Sequence, residues 1–581
     1  MLYQLSYLPE SNGAILDPDQ GFASTTAALD EDPAAGKLRR QMKDSLCLRR
    51  RLFRWATSAA MAIGLIGAAL AISCQSEKQN VQPSKPVLSE KFQPDWQSLA
   101  QYQTPQWFRD AKFGIWAHWS AQCVPEQGDW YARKMYIPTE ADYRYHLEHY
   151  GHPSQFGFKD IDHLWHAEHW DPDKLIKLYK RAGAKYFVAL ANHHDNFDCF
   201  DSTYQPWNSL NIGPHKDIVG IWAEAARQNG LRFGVSVHCA RAWTWFEPAQ
   251  GADAGGPMKG VPYDGKLTKA QGKGKWWDGY DPQDLYAQNH PIGAPPDQAY
   301  IDKFYNRTKD LINKYRPDLI YFDDRVMPLA DYSDVGLRLT AYYYNQSMQW
   351  HQGNLEAVLN TKHLNQQQQQ CVVMDRERAR SQDIDPLPYQ TDMCIGQWHY
   401  HRGIHYRTAP MIIQYLVDVV SKNGNLLLSI PVRPDGTLDD DELKFVAELT
   451  QWMDINGECI FGTRPFAVLG EGPALALPAT RGMERKWDLM GPQDIRFTTK
   501  GDVLYAIAMG WPADGKLTIK TLAAGSPVYR REIAGITLLG SAAKLIWRRD
   551  QNGLTIDLPP EKPCDYALAF RITPQFAKSD H

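Results

Sequence analysis

Between about Trp96 and Asn456, short apolar runs alternate with amphipathic stretches of helical period, and this alternation restricts the architecture more than any other feature of the chain. Strand, helix and strand in succession make the βα unit, and a string of such units builds a parallel sheet with its helices outside. The runs expected as strands are Lys112–His118, Tyr186–Ala191, Leu231–His238, Asp318–Asp323, Cys371–Met374 and Leu426–Val432. Asp171-Pro172-Asp173 should open a helix that runs through Lys180 and stops at Gly183, because an aspartate caps free amides, a proline pre-sets the first turn and a glycine ends the last. A second helix is expected over Met411–Val420. Roughly 350 residues of this rhythm fit an eightfold (β/α) barrel with insertions. A doubly wound open sheet is the alternative, weakened because no glycine-rich phosphate loop follows any of the runs.

Past Asn456-Gly457-Glu458 the pattern becomes short alternating strands, among them Val503–Met509, Leu517–Ile519 and Tyr566–Arg571, spaced by Gly, Pro and Asp. That is the pattern of an antiparallel β-sandwich. The chain therefore divides into a barrel over 95–463 and a sandwich over 464–581. Within the barrel, Gly251–Lys275 has no apolar period and is expected as a long loop near the working face.

Upstream, Arg49, Arg50, Arg51 and Arg54 lead into an uncharged run from Trp55 to Ser73 that ends at Cys74. A basic segment, an apolar segment and small residues before a cysteine make a bacterial lipoprotein-like export signal, with an uncleaved anchor as the alternative. Residues 1–74 are expected to be an N-terminal extension with this signal, and the polar stretch 75–94 a tether. The folded body is then exported, periplasmic or at the cell surface, and touches membrane only through its N-terminal anchor. Nine cysteines with no Cys-x-x-Cys pair argue against a zinc ribbon or a disulfide framework. A net charge of −4 gives no reason to expect nucleic acid as a partner.

In a barrel, the strand C-terminal ends and the loops after them form the working face. The sequence puts His118 at the end of the first run, His193, His194 and Asp195 after the second and His238 at the end of the third; Asp323 and Asp324 end the fourth, and Glu377 lies past the fifth. Any one carboxylate here could simply cap the next helix. So many polar groups brought to one face by separate strands point to chemistry. A zinc or manganese site could draw on the histidines and carboxylates. Adjacent strand residues point to opposite faces, however, and there is no His-x-His or His-Glu-x-x-His arrangement. Glycoside hydrolysis by two carboxylates uses the whole set, with imidazoles holding sugar hydroxyls and Trp130 or Trp398 covering the apolar face of the ring.

Several segments occur in a characteristic order: Trp107-Phe108-Arg109-Asp110-Ala111-Lys112-Phe113-Gly114-Ile115-Trp116-Ala117-His118-Trp119, then Asp129-Trp130-Tyr131-Ala132, His193-His194-Asp195-Asn196-Phe197, Pro317-Asp318-Leu319-Ile320-Tyr321-Phe322-Asp323 and Val420-Ser421-Lys422-Asn423-Gly424-Asn425-Leu426-Leu427-Leu428. From about Pro105 to Pro465 the chain resembles the α-L-fucosidases of glycoside hydrolase family twenty-nine. The resemblance implies a (β/α) barrel followed by a β-sandwich, a fucosylated oligosaccharide or polysaccharide as substrate, and a retaining reaction that needs no cofactor or metal. It matches Asp323 to the nucleophile, His118, His193 and His194 to fucose-binding histidines, and Trp398 to an aromatic beside the sugar methyl. Asp129, Trp130 and His238 join them as substrate-binding candidates. Glu377 stands where the family tends to carry its acid/base, with Asp392 and Asp383 as alternatives. Departures from the family pattern are Asp324 in place of Gly, Asp129 in place of Glu, Tyr389-Gln390 in place of Trp-Glu, and Ser429-Ile430-Pro431-Val432 in place of Asn-Val-Gly-Pro. They mark a divergent subgroup. A relative acting on α-L-galactosides, a metal-dependent hydrolase and a non-catalytic glycan-binding lipoprotein are the other readings.

Overall fold

The computed structural model describes residues 90–476 and 490–575, so the expected export signal at 49–74, with Cys74, and the tether up to residue 89 lie outside the described residues. Eight parallel strands close a barrel in sequence order: β1 (Phe113–Ala117), β2 (Tyr186–Asn192), β3 (Arg232–Val237), β4 (Leu319–Arg325), β5 (Val358–Lys362), β6 (Val373–Asp375), β7 (Tyr389–Cys394) and β8 (Gly424–Ser429). The seam pairs β8 with β1, from Phe113 opposite Leu426 to Trp116 opposite Ser429. The expected helix begins at Pro172 and ends at Arg181, with Asp171 accepting from the Lys174 amide at 3.0 Å and Gly183 in the left-handed region at φ 104°.

Two barrel strands, β5 and β7, were not expected from the sequence, and both carry polar side chains at every second position. Side chains alternate across a strand, so Asn360 and Lys362 of β5, and Gln390 and Asp392 of β7, turn to the face opposite Leu359 and Thr391. The barrel interior is accordingly polar. Trp116 donates to Ser236 at 3.2 Å, Tyr186 to Gln390 at 3.1 Å, Gln390 to Asp375 at 3.0 Å and Tyr321 to Asp392 at 2.7 Å. Gly114 is required here, since a Cβ at that position would collide with the Tyr186 ring. The remaining strands differ at their ends: β6 covers Val373–Asp375 rather than Cys371–Met374, and β8 covers Gly424–Ser429 rather than Leu426–Val432.

The C-terminal part has a five-stranded antiparallel sheet and a three-stranded one. With β9 (Arg464–Glu471), β10 (Ile495–Lys500), β11 (Val503–Ala508), β12 (Lys516–Ile519), β13 (Ile533–Leu538), β14 (Ile546–Asp550), β15 (Gly553–Asp557) and β16 (Leu568–Pro574), the orders are β13-β16-β11-β10-β9 and β12-β15-β14. Leu504 and Ala506 of β11 face the core between the two sheets, while Tyr505 and Ile507 pack into the barrel core. One strand thus seals both cores by simple alternation. The joint is also polar: Asp418, on the helix Ala409–Ser421, is fully buried and meets Arg496 of β10 at 2.6 Å, Lys422 at 2.8 Å and Arg380 at 2.9 Å.

The long stretch after β3 is pinned at several points. Asp253 accepts from Tyr143 at 2.7 Å and Tyr263 at 2.5 Å, and Asp264 accepts from Tyr136 at 2.7 Å and Tyr286 at 2.5 Å. Trp276 donates to Asp160 at 2.8 Å and stacks on His163. The carbonyls of Asp284 and Leu285 in turn receive hydrogen bonds from Asn196, in the loop that carries His193 and His194. This insertion braces the working face.

Candidate active site

Every sequence-chosen candidate except Asp383 gathers at the C-terminal mouth of the barrel or on its rim, because each stands at the end of a strand or in the loop that follows. His118 follows β1, His193 and His194 follow β2, His238 follows β3, Asp323 stands in β4, Glu377 lies two residues past β6, Asp392 is in β7 and Trp398 follows β7. Asp383 is exposed and accepts from the adjacent Ile384 amide, a local turn contact.

Asp323 is the centre of this group. Its Oδ2 lies 3.2 Å from His194 Nε2 and 3.2 Å from His238 Nδ1, and its Oδ1 accepts from Lys362 Nζ. Burial alone would raise the carboxyl pKa, but the Lys362 charge and the two imidazoles outweigh it and hold Asp323 well below the ordinary carboxylate range. Asp324, the next residue, points the other way, as strand alternation requires. It sits 3.5 Å from Arg241 Nε, its Oδ2 has no hydrogen-bond partner among the described residues, and burial pushes its pKa up to about 6. Of the two acids at this strand end, Asp323 is the one kept ionised and facing the histidines.

Lys362, which the sequence reading did not select, closes β5 and donates from the same Nζ to Glu377 Oε2 at 2.7 Å. Two carboxylate oxygens that share one ammonium are no more than about 6 Å apart, twice an ordinary hydrogen-bond length. Glu377 keeps 43% of its side chain exposed, so it borders the mouth. Asp392 lies deeper: it is 1% exposed, accepts from Tyr321, and burial raises its pKa to about 6.

Histidines and aromatic rings form the rest of the mouth. Burial and the neighbouring imidazoles hold His118 and His193 well below the usual histidine range, and burial takes His238 down to about 4 against the pull of Asp323. All three are neutral near pH 7. Gln122 donates to His193 Nδ1 at 2.8 Å, which leaves Nε2 carrying the ring hydrogen. His118 Nδ1 lies 3.3 Å from the Ser429 hydroxyl. Asp129 orients a further imidazole, His399, through a 2.8 Å contact. The Trp398 ring lies 4.9 Å from His118, and the Arg378 guanidinium lies 4.9 Å from the same indole.

Trp130 stands at the rim, 41% exposed, its ring edge-on to His194 at 6.3 Å and to Trp245 at 6.1 Å. Its φ of 68° is strained for a bulky residue, and such strain gathers at functional sites. Among the described residues two trios have the spacing to share a metal ion, His193 with His194 and His238, and Asp129 with His193 and His399. Gln122 and the His238 carbonyl already take up Nδ1 of His193 and Nδ1 of His194 in the first trio.

A parallel barrel with an ionised carboxylate, a second carboxylate one lysine away and a floor of neutral imidazoles beside an indole has the features of a glycoside hydrolase of the barrel class. The family model for α-L-fucosidase matches residues 79–458, and that for the α-L-fucosidase C-terminal domain matches 490–573. The chain belongs to the α-L-fucosidase family. Tissue α-L-fucosidase of Rattus norvegicus is 27% identical over 502 residues, covering 84% of this chain and 93% of that protein. The Homo sapiens tissue enzyme is 26% identical, covering 83% and 92%. Among solved structures, Thermotoga maritima α-fucosidase in complex with a mechanism-based inhibitor superposes with a TM-score of 0.63 at 25% identity, over 83% of this chain and all of that one. The same enzyme in complex with fucose gives 0.61 at 25%.

Proposed function

We propose that this protein is a retaining exo-α-L-fucosidase that removes terminal α-L-fucosyl residues from glycans through a covalent fucosyl-enzyme. The observation that supports this reading is the shared Lys362 ammonium, which joins one oxygen of Asp323 to one of Glu377; a double displacement calls for carboxyl groups about 5–5.5 Å apart. Asp323, ionised and low in pKa, attacks the anomeric carbon while Glu377 protonates the leaving oxygen. Glu377 then takes a proton from water as that water attacks the ester. His118, His193 and His238 give directional hydrogen bonds to the sugar hydroxyls, His194 lines the fucose pocket beside Asp323, and Trp398 covers an apolar edge. Asp129 acts through His399, and Trp130 meets the sugar beyond the scissile bond.

Export fits this chemistry, since glycans with terminal fucose are met outside the cell. We infer from the basic and apolar segment before Cys74 that the barrel is carried across the membrane and held by its N-terminus.

The test is release of phenol from an aryl α-L-fucoside by the parent protein and by Asp323→Ala. Turnover that collapses in the variant and partly returns with azide supports the assignment. A parent that releases phenol from aryl α-L-galactosides but not from fucosides would overturn the fucose specificity, and loss of turnover on chelation would redirect the mechanism to a metal.

A further inference from the structure

Lys362 has two unusual properties. It is nearly buried, and it spans two acids that, on the reading above, need opposite protonation states at the same moment. A nucleophile must be ionised while its partner acid carries a proton, and the reverse holds once the ester has formed. An ammonium that belonged to one carboxylate alone would favour one half of the cycle and oppose the other.

We propose that Lys362 is the fixed counter-charge for a single negative charge that passes from Asp323 to Glu377 in the first half-reaction and returns in the second. This rests on the double-displacement reading. In the first step the bond from Asp323 to the anomeric carbon forms, the bond to the leaving oxygen breaks, and the Glu377 proton goes to that oxygen. The trio begins as carboxylate, ammonium and carboxylic acid and ends as ester, ammonium and carboxylate, with net charge zero on both sides. In the second step the bond from water oxygen to the anomeric carbon forms, the ester bond breaks, and the water proton goes to Glu377. The charge returns to Asp323. Because the ammonium touches both acids, it stabilises whichever one is charged, and neither half-reaction has to build a charge without a partner.

The surroundings fit a lysine that keeps its proton. Although burial opposes the charged form, Asp323, Glu377, Asp392 and Asp375 together raise the Lys362 pKa. The other charges facing the trio come from every element around it. His194 and His238 stand beside Asp323. Arg241, paired with Asp324, interacts with both Asp323 and Glu377. Arg378 faces Glu377 from the loop after β6. Lys362 hydrogen-bonds to both acids.

The test is the pH dependence of kcat/KM with an aryl α-L-fucoside for the parent, Lys362→Met and Lys362→Arg. The acidic limb reports ionisation of Asp323 and the basic limb deprotonation of Glu377, as macroscopic values of the pair. Removing a cation within hydrogen-bond reach raises both carboxyl pKa values, so the whole bell moves to higher pH by about 1–2 units in Lys362→Met. Lys362→Arg keeps the charge and leaves the bell in place. A bell lowered in height but unmoved on both limbs makes Lys362 a packing residue and overturns the proposal, as does movement of one limb only. Lys362→Gln serves if the methionine variant does not fold. The two carboxyl titrations are also followed by carbon NMR of labelled protein, without turnover. An inactive parent would therefore sink the fucosidase reading while the same joint shift still decides this one.

Discussion

Two aspartates of this molecule, one fully buried and one 17% exposed at the barrel mouth, are held ionised in opposite ways. Asp418, at the joint between barrel and sandwich, is met by three cations, Arg496, Lys422 and Arg380, and burial notwithstanding they take its pKa down to about 2. Asp323, at the barrel mouth, has one lysine shared with a second acid and two imidazoles, one of them neutral His238. Around Asp418 the charges are closed upon each other. Around Asp323 some polar atoms have no hydrogen-bond partner among the described residues, Asp324 Oδ2 and Asp392 Oδ1 among them. A buried charge surrounded by its own cations serves the fold, and a charge at a strand end whose neighbours keep unpaired polar atoms serves a ligand.

If that contrast is right, the two aspartates respond to the same change in opposite measurements. Asp323→Asn lowers kcat/KM by roughly four orders of magnitude or more, as loss of a catalytic nucleophile does, while its thermal unfolding stays close to that of the parent because Glu377 retains Lys362. Asp418→Asn is the reverse: it destabilises by about 3–5 kcal/mol, as stripping one partner from a buried ion cluster does, and kcat/KM stays within a few-fold below the melting transition. A stable Asp418→Asn would mean that the joint is held by its apolar face alone.

The pH dependence of stability is a smaller effect with a definite sign. Asp418 titrates near 2 folded and near 3.9 unfolded, so its contribution of about 2–3 kcal/mol is complete above pH 4 and disappears as pH falls through about 2. Acid titration of unfolding in the parent and in Asp418→Asn checks this, since the variant lacks that part of the slope. The smallest expected change is at the rim, where Trp130→Ala raises KM for an oligosaccharide several-fold with little effect on an aryl fucoside. Equal loss on both substrates would move Trp130 into the fucose pocket.

The sequence made the barrel legible where strands are apolar on both faces, as in Tyr186–Ala191 and Leu426–Leu428, and opaque where the interior face is polar. Val358–Lys362 and Tyr389–Cys394 do not stand out as strands because Asn360, Lys362, Gln390 and Asp392 interrupt the apolar run. The same interruption hid Lys362, since a lysine outside any recognised strand gives no sign of its neighbours. Strand-end histidines were visible because each follows an apolar run directly. His399 and Arg241 lie in loops whose path only the closed barrel fixes. A strand of polar alternation ending in a charged residue, in the place where a barrel is one strand short, was the signal available for β5.

The most direct measurement is to trap the fucosyl-enzyme with a 2-deoxy-2-fluoro-α-L-fucosyl donor and locate the label by peptide mass spectrometry. The label is expected on Asp323, in the peptide containing Leu319–Arg325, and a label on Asp324, Glu377 or Asp392 would contradict the account.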